Sequence, residues 1–288
     1  MTSPEVKAFF DAASNTFSYV VWDAATHEAA IIDSVLDFDP ASGRTGHASA
    51  DAIVAFVQDM LLSVKWLIET HVHADHLSAA PYLQKKLGGT IAIGEHIVDV
   101  QMAFGDLFNA GAAFQRDGSQ FGHLFKDGER YRLGNIDAIA LHTPGHTPAC
   151  MTHVIGDAAF VGDTLFMPDY GSARCDFPGG DAAVLYRSSR RLFELPDDTR
   201  VFLCHDYKPS GRDTYEHATT IGEQKRNNIH LRQDVSEQEF VQLRTTRDAT
   251  LAMPRLLLPS VQVNMCAGWL PAPEDNGIRY LKLPLDAL

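Results

Sequence analysis

Apolar residues run along this chain in two alternating patterns: short β-branched and aromatic stretches that fit strands, and stripes at helical spacing. Phe17 to Trp22 and Ala29 to Asp33 predict a hairpin across a short polar turn. Asp33 closes its second strand, where a carboxylate reaches toward a neighbouring loop. Asp37 to His47, with Pro40, Gly43 and Gly46, predicts a loop. Ser49 then caps a helix that carries Ile53, Val54, Phe56, Val57, Met60 and Leu61 on one face. Val64 to Glu69 predicts a buried strand, and Ser78 the cap of a helix that runs through Pro81 to Leu87 and stops at Gly88-Gly89. Thr90 to Ile93 is a further strand.

From His96 to Gly122 helical and irregular spacing mix, which predicts a helix followed by a mobile loop. Phe125 to Glu129 reads as a turn and Ile136 to Leu141 as a strand. Met151 to Ile155 and Ala158 to Val161 pair through the Gly156-Asp157 turn. Asp181 begins a helix through Leu195, and Arg200 to Cys204 is a short buried strand. A polar helix is predicted from Thr214 to about Asn228, and Ser236 with Glu239 predicts a capping box for a helix to Thr246. Pro254, Pro259, Pro271, Pro273 and Pro284 predict an extended tail.

Strands followed by a helix occur twice, so two halves would sandwich their sheets between outer helices and bring the strand-end loops to one rim. No linker divides the chain, and one α/β domain over 1–288 is expected, with a helical and extended segment from about 214. Hydrophobic residues at 45% and charged residues at 21% fit that size. The net charge of −13 provides no basic stripe for nucleic acid and repels an anionic membrane surface. An anionic small molecule would then need a local cluster of Arg, Lys or Tyr. Cys150, Cys175, Cys204 and Cys266 are scattered, which predicts free thiols in a reducing compartment, with Cys150 a buried structural one. The segment from Met1 to Lys7 lacks the apolar core of a leader, and no run approaches a membrane span. A cytoplasmic protein is expected.

The chemistry concentrates in Thr70-His71-Val72-His73-Ala74-Asp75-His76, three imidazoles and a carboxylate between a predicted strand and a predicted helix. A second loop, His142-Thr143-Pro144-Gly145-His146-Thr147, follows another strand, and Gly162-Asp163-Thr164 and His205-Asp206-Tyr207 follow two more. His71, His73, Asp75, His76, His146, Asp163 and His205 are all metal-ligand types at strand ends. His27, His47, His96, His123 and His217 fall in loops or on helix surfaces, and His142 and His153 beside the site strands.

This ordered set resembles the metallo-β-lactamase superfamily, with its His-x-His-x-Asp-His loop, lone His, bridging Asp and final His. The resemblance implies the αββα sandwich. Thr143-Pro144-Gly145-His146-Thr147, Gly162-Asp163-Thr164-Leu165, Arg174-Cys175-Asp176-Phe177 and His205-Asp206-Tyr207 resemble the persulfide dioxygenases, the sulfur dioxygenases of the ethylmalonic-encephalopathy-protein type. The stretch from Gly171 to Gly180 with Leu185-Tyr186 is similar to their bacterial members. That resemblance implies Fe(II), one per chain, held by His71, His146 and Asp163, with His73, Asp75, His76 and His205 orienting those ligands. It implies oxidation of glutathione persulfide by O₂ and water to sulfite and glutathione, in a homodimer. Two imidazoles and a carboxylate on one face leave up to three positions for both reactants.

For substrate binding the resemblance points to Arg174, Tyr207 and a basic residue among Lys225, Arg226 and His230. The Arg174 fork suits a substrate carboxylate or a local aspartate, Asp176 or Asp169. The same seven ligands also suit a dinuclear zinc thioesterase of the glyoxalase II type. A non-catalytic sulfur sensor or scaffold is the remaining alternative.

Overall fold

The computed structural model describes residues 3–287. Met1 and Thr2, at the start of the segment read for a leader, lie outside the described residues.

In chain order the first half holds β1 (Glu5–Asp11), β2 (Thr16–Trp22), β3 (Glu28–Ile32), β4 (Val35–Asp39), β5 (Arg44–Gly46), α1 (Ala48–Asp59), β6 (Ser63–Ile68), β7 (Leu77–Ser78), α2 (Ala80–Leu87), β8 (Thr90–Gly94), α3 (Ile97–Leu107) and β9 (His123–Phe125). The second holds β10 (Glu129–Leu133), β11 (Ile136–His142), β12 (Met151–Ile155), β13 (Ala158–Phe160), α4 (Ala182–Leu192), β14 (Arg200–Phe202), β15 (Ala218–Thr220), α5 (Ile221–Asn227), α6 (Glu237–Asp248) and α7 (Leu257–Asn264). One six-stranded sheet has the order β1-β2-β3-β6-β8-β9 and the other β10-β11-β12-β13-β14-β15, with β5-β4-β7 as a small third sheet.

The two large sheets face one another across an apolar layer that contains Tyr19, Ile32, Ile68, Phe125, Phe160 and Phe202. Burial of each such side chain contributes about 2 kcal/mol. The opposite face of the first sheet packs on α1, α2, α3 and α7 through Ile53, Leu83, Ile97 and Val261. That of the second packs on α4 and α6 through Leu185, Leu192 and Phe240. The layers are therefore helix, sheet, sheet, helix, as the resemblance implies. Strands covered on both faces read as nearly continuous apolar runs, which is why β3, β6 and β14 were legible.

Parallel pairing sets the rim. β3 and β6 align Ile32 with Ile68, so Asp33 emerges beside Glu69 and Thr70. β13 and β14 align Phe160 with Phe202, so the residues that follow, Asp163 and His205, leave the same end of their sheet. The sheets are stitched there by Met151 N–H to the Thr70 carbonyl at 2.8 Å and Phe17 N–H to the Cys204 carbonyl at 2.7 Å.

Several boundaries differ from expectation. The predicted loop over Asp37 to His47 is the β4–β5 hairpin, with Phe38 opposite Thr45. Ser49 lies inside α1; the Asp37 carboxylate accepts from Ala48 N–H at 2.6 Å and takes over the capping role. Ser78 sits in β7, two residues before α2, where its hydroxyl still accepts from Ala80 N–H at 3.0 Å. The loop after α3 is held down: Gln101 accepts from Gly118 N–H and donates to Gln120 at 2.9 and 2.8 Å. Asp181 and Ser236 cap α4 and α6 as predicted, the latter with its capping box. Thr214 starts no helix; β15 intervenes and Thr220 caps the shorter α5. The predicted extended tail contains α7, with Val261 and Val263 in the core. No helix among the described residues is long and apolar enough to cross a membrane.

Candidate metal centre

His71, His146 and Asp163 converge at the rim, each buried, with donor atoms within 4.8 Å of one another. Asp163 Oδ2 lies 3.4 Å from His146 Nε2 and 3.9 Å from His71 Nε2. Two tight turns make this convergence. Gly162 holds a φ of +50°, and a Cβ there would come within 2.7 Å of the Thr70 hydroxyl. Gly145 has a φ of +132°, and a Cβ there would overlap the Leu185 backbone.

Neighbouring groups fix which ring nitrogen each histidine offers. His146 Nδ1–H donates to the Arg174 carbonyl at 2.8 Å, an atom that only accepts, so Nε2 keeps its lone pair toward Asp163. His71 Nδ1 sits 3.0 Å from the Thr70 hydroxyl, which itself donates to Asp33 Oδ2 at 2.9 Å. That hydroxyl accepts from Nδ1–H and leaves His71 Nε2 free. Burial, then the neighbouring imidazoles His73, His146 and His205, hold His71 well below the usual histidine pKa, in the neutral form a ligand requires.

His73 is placed differently. Its Nε2 lies 2.9 Å from Asp33 Oδ1 and 3.3 Å from Glu69 Oε2. Burial alone lowers its pKa, but Asp33 and Glu69 override that and raise it well above the ordinary value. Burial raises the Asp75 carboxyl, yet His205 and His76 hold it well below the usual range. Asp75 accepts from the Thr16 hydroxyl at 3.3 Å and stands 3.4 Å from His76 Nδ1. His205 Nε2 lies between Asp163 Oδ1 at 3.4 Å and Asp75 Oδ2 at 3.6 Å. Among the described residues no group of mutually close donors unites Asp75, His76 and His205, although Asp75 and His76 form one with His73.

Buried polar atoms without a hydrogen-bond partner gather here: His73 Nδ1, His76 Nε2, His205 Nε2 and Asp163 Oδ1. Asp163 Oδ1, on the triad carboxylate, and the orphaned imidazole nitrogens beside the triad are what a cation would satisfy, so the donor set fits a metal ion.

The centre opens into a cleft of about 320 Å³, which Asp75, His146 and Asp163 help to line. Tyr207 lines it, with its ring 5.1 Å from that of Tyr170. Arg174 also lines it, but its side chain donates to both Asp176 oxygens at 2.6 Å and to the Ala252 carbonyl at 2.7 Å. Its fork is thus committed to a local aspartate. Lys225 and Arg226, expected near the substrate, do not line this cleft: they belong to α5 and pair with Asp197 and Glu223. His230 is likewise absent from it, its ring against Ser172 at 3.1 Å.

Other supporting residues carried no recognisable signal. Asn264, at the end of α7, donates to the carbonyls of His73 and His76 at 2.9 and 2.8 Å and accepts from Ser78 N–H at 2.8 Å. It clasps the histidine loop from nearly two hundred residues away. Thr16, from β2, reaches His76, His205 and Asp75 with one hydroxyl.

A sequence model of the family described as Metallo-beta-lactamase superfamily matches residues 12–205. A probable metallo-hydrolase of Burkholderia pseudomallei is 59% identical, covering 98% of this chain and 99% of its own length. Glyoxylase B2 of Dictyostelium discoideum is 46% identical over 99% of this chain and 98% of its own. The human mitochondrial Persulfide dioxygenase ETHE1 is 27% identical over 91% and 88%. Among solved structures, ETHE1 from Myxococcus xanthus superposes with a TM-score of 0.73 at 30% identity, covering 92% of this chain and 100% of that one.

Proposed function

The chain belongs to the metallo-β-lactamase superfamily, and from that premise we propose that it is a persulfide dioxygenase with one ferrous ion at His71, His146 and Asp163. The observation that carries this reading is that these three donors lie within 4.8 Å of one another, whereas among the described residues no such group unites Asp75, His76 and His205. The likenesses to Persulfide dioxygenase ETHE1 and to the Myxococcus xanthus ETHE1 structure support it.

A bound ferrous ion would supply the electrons for O₂ activation and a site for the persulfide sulfur. The rest falls to the chain. Thr70 and the Arg174 carbonyl hold the two imidazoles with Nε2 toward the ion. Glutathione persulfide would lie along the cleft past Tyr207 and Tyr170, with its outer sulfur at the triad. His205 Nε2, 3.6 Å from Asp75 and 3.4 Å from Asp163, would take the proton of the water that releases sulfite. Per turnover one persulfide, one O₂ and one water give sulfite, glutathione and protons.

Oxygen consumption with iron-loaded protein is the test: uptake equimolar with added glutathione persulfide is expected, and no uptake removes the proposal. A second reading, a dinuclear zinc thioesterase, is favoured by the orphaned donors on His73, His76 and His205 and by the names of the more similar relatives. Hydrolysis of a glutathione thioester without oxygen uptake would favour it.

A further inference from the structure

Four arginines line the cleft: Arg174, Arg244, Arg247 and Arg255. Two are spent on the fold. Arg174 is paired with Asp176, and buried Arg244 donates to Asp248 at 2.9 Å and to the Ser172 carbonyl at 2.9 Å. Arg247 and Arg255 are exposed and, among the described residues, make neither an ion pair nor a side-chain hydrogen bond. Asp39 feels the Arg255 charge without pairing to it. In a chain of net charge −13, two unpaired guanidiniums on the wall of one cleft are unexpected unless an anion comes to them.

The cleft connects them to the metal centre. The Tyr207 ring stacks on His205 at 5.8 Å, Tyr170 lies against Tyr207 at 5.1 Å, and the Arg247 guanidinium sits 6.0 Å over Tyr170. Arg247 is held on this face by helical spacing, three residues after the anchored Arg244 on α6. Arg255 stands between the cleft residues Pro254 and Leu256, just before α7.

We propose that Arg247 and Arg255 are the specificity-determining pair that receives the carboxylates of the thiol carrier while its sulfur lies at the triad. The ligand class is a small, peptide-like thiol with two carboxylates. A guanidinium fork matches a carboxylate bidentately, and an exposed fork whose N–H groups are not already paired loses little on docking one. The inference rests on the cleft being the substrate site, the premise of the reading above.

The probe is S-methylglutathione, titrated calorimetrically into the protein at low salt. Arg247→Gln and Arg255→Gln are each expected to weaken binding about tenfold, and the pair of substitutions to abolish it. The diethyl ester of the probe should bind wild type as weakly as the free acid binds the variants. Among the described residues neither guanidinium has an ion-pair or hydrogen-bond partner, Arg247 resting only over the Tyr170 ring, and unchanged melting curves verify that the loss is local. Binding by both single variants within twofold of wild type overturns the proposal, as does equal weakening of acid and ester. Oxygen uptake with unchanged KM in both variants overturns the arginine pair alone. Arginine-dependent binding without oxygen uptake by wild type upholds the pair and removes the dioxygenase reading.

Discussion

The Nε2 of His73 lies 2.9 Å from Asp33 Oδ1, which commits the second histidine of the His-x-His motif to a carboxylate of the neighbouring strand. The same carboxylate accepts the Thr70 N–H at 2.7 Å and the Thr70 hydroxyl at 2.9 Å. One buried acid at the end of β3 thereby orients Thr70, His73 and, through the Thr70 hydroxyl, His71.

Replacing Asp33 with Asn should therefore cost more than a surface carboxylate does. The amide keeps the shape, loses the charge that balances His73 and turns a donor toward one of its three partners. A loss of about 3 kcal/mol in urea unfolding is expected, with weakened metal retention. Stability within 0.5 kcal/mol of wild type, on the order of an exposed ion pair, would show that Asp33 does not organise the loop.

Asn264→Ala removes three hydrogen bonds from the histidine loop without touching a ligand. The carbonyls of His73 and His76 would be buried without a donor, which costs about 1–3 kcal/mol each when no water replaces it. Metal affinity, read by chelator competition, should fall on the order of tenfold or more. Unchanged affinity would mean the loop is rigid without its clasp.

Acid stability depends on His153. Burial pushes this imidazole down to about 4, with Asp33 and Glu129 opposing only in part. The unfolded chain takes up its proton near 6.5, while the fold refuses it until about 4. Its contribution is whole above about pH 6.5 and falls as pH drops through that window, by up to about 3 kcal/mol. His153→Gln, which keeps an acceptor for the Tyr131 hydroxyl, should flatten the stability profile there by one proton's worth. An unchanged slope would place the acid response elsewhere, with buried His230 (also about 4) the next group to test.

The thiols should be inert in the fold. Burial pushes Cys150 up to about 12 and Cys204 well above the ordinary value, and Cys266, half-buried, to about 11. Alkylation by iodoacetamide at pH 8, read by mass spectrometry, should reach Cys266 first and the buried three only on unfolding. Rapid labelling of Cys150 in folded protein would contradict that order.

Legibility in the sequence followed locality. The histidine loop stood out because ligand types crowd a strand end, and Asp33 because a carboxylate closes an apolar run. The caps at Asp181 and Ser236 were readable since each is satisfied within three residues. Helix α7 was hidden by Pro259, which sits in its first turn, where the missing N–H has no partner to lose. With α7 went Asn264. β1 was missed because it is a half-exposed edge strand whose short apolar run, Ala8 to Phe10, is flanked by Lys7 and Asp11. The resemblance points to a basic residue near Lys225 and Arg226, but a matching stretch does not say which way a helix turns its cations. Arg247 and Arg255 carried no motif and became visible only when α6 closed the cleft.

The central claim is that one redox-active ion sits at His71, His146 and Asp163, and metal content per chain tests it most directly. Protein purified without added metal should contain about one iron and little zinc, and Asp163→Ala, still folded, almost none. About two zincs per chain, or full iron retention in Asp163→Ala, would contradict the account.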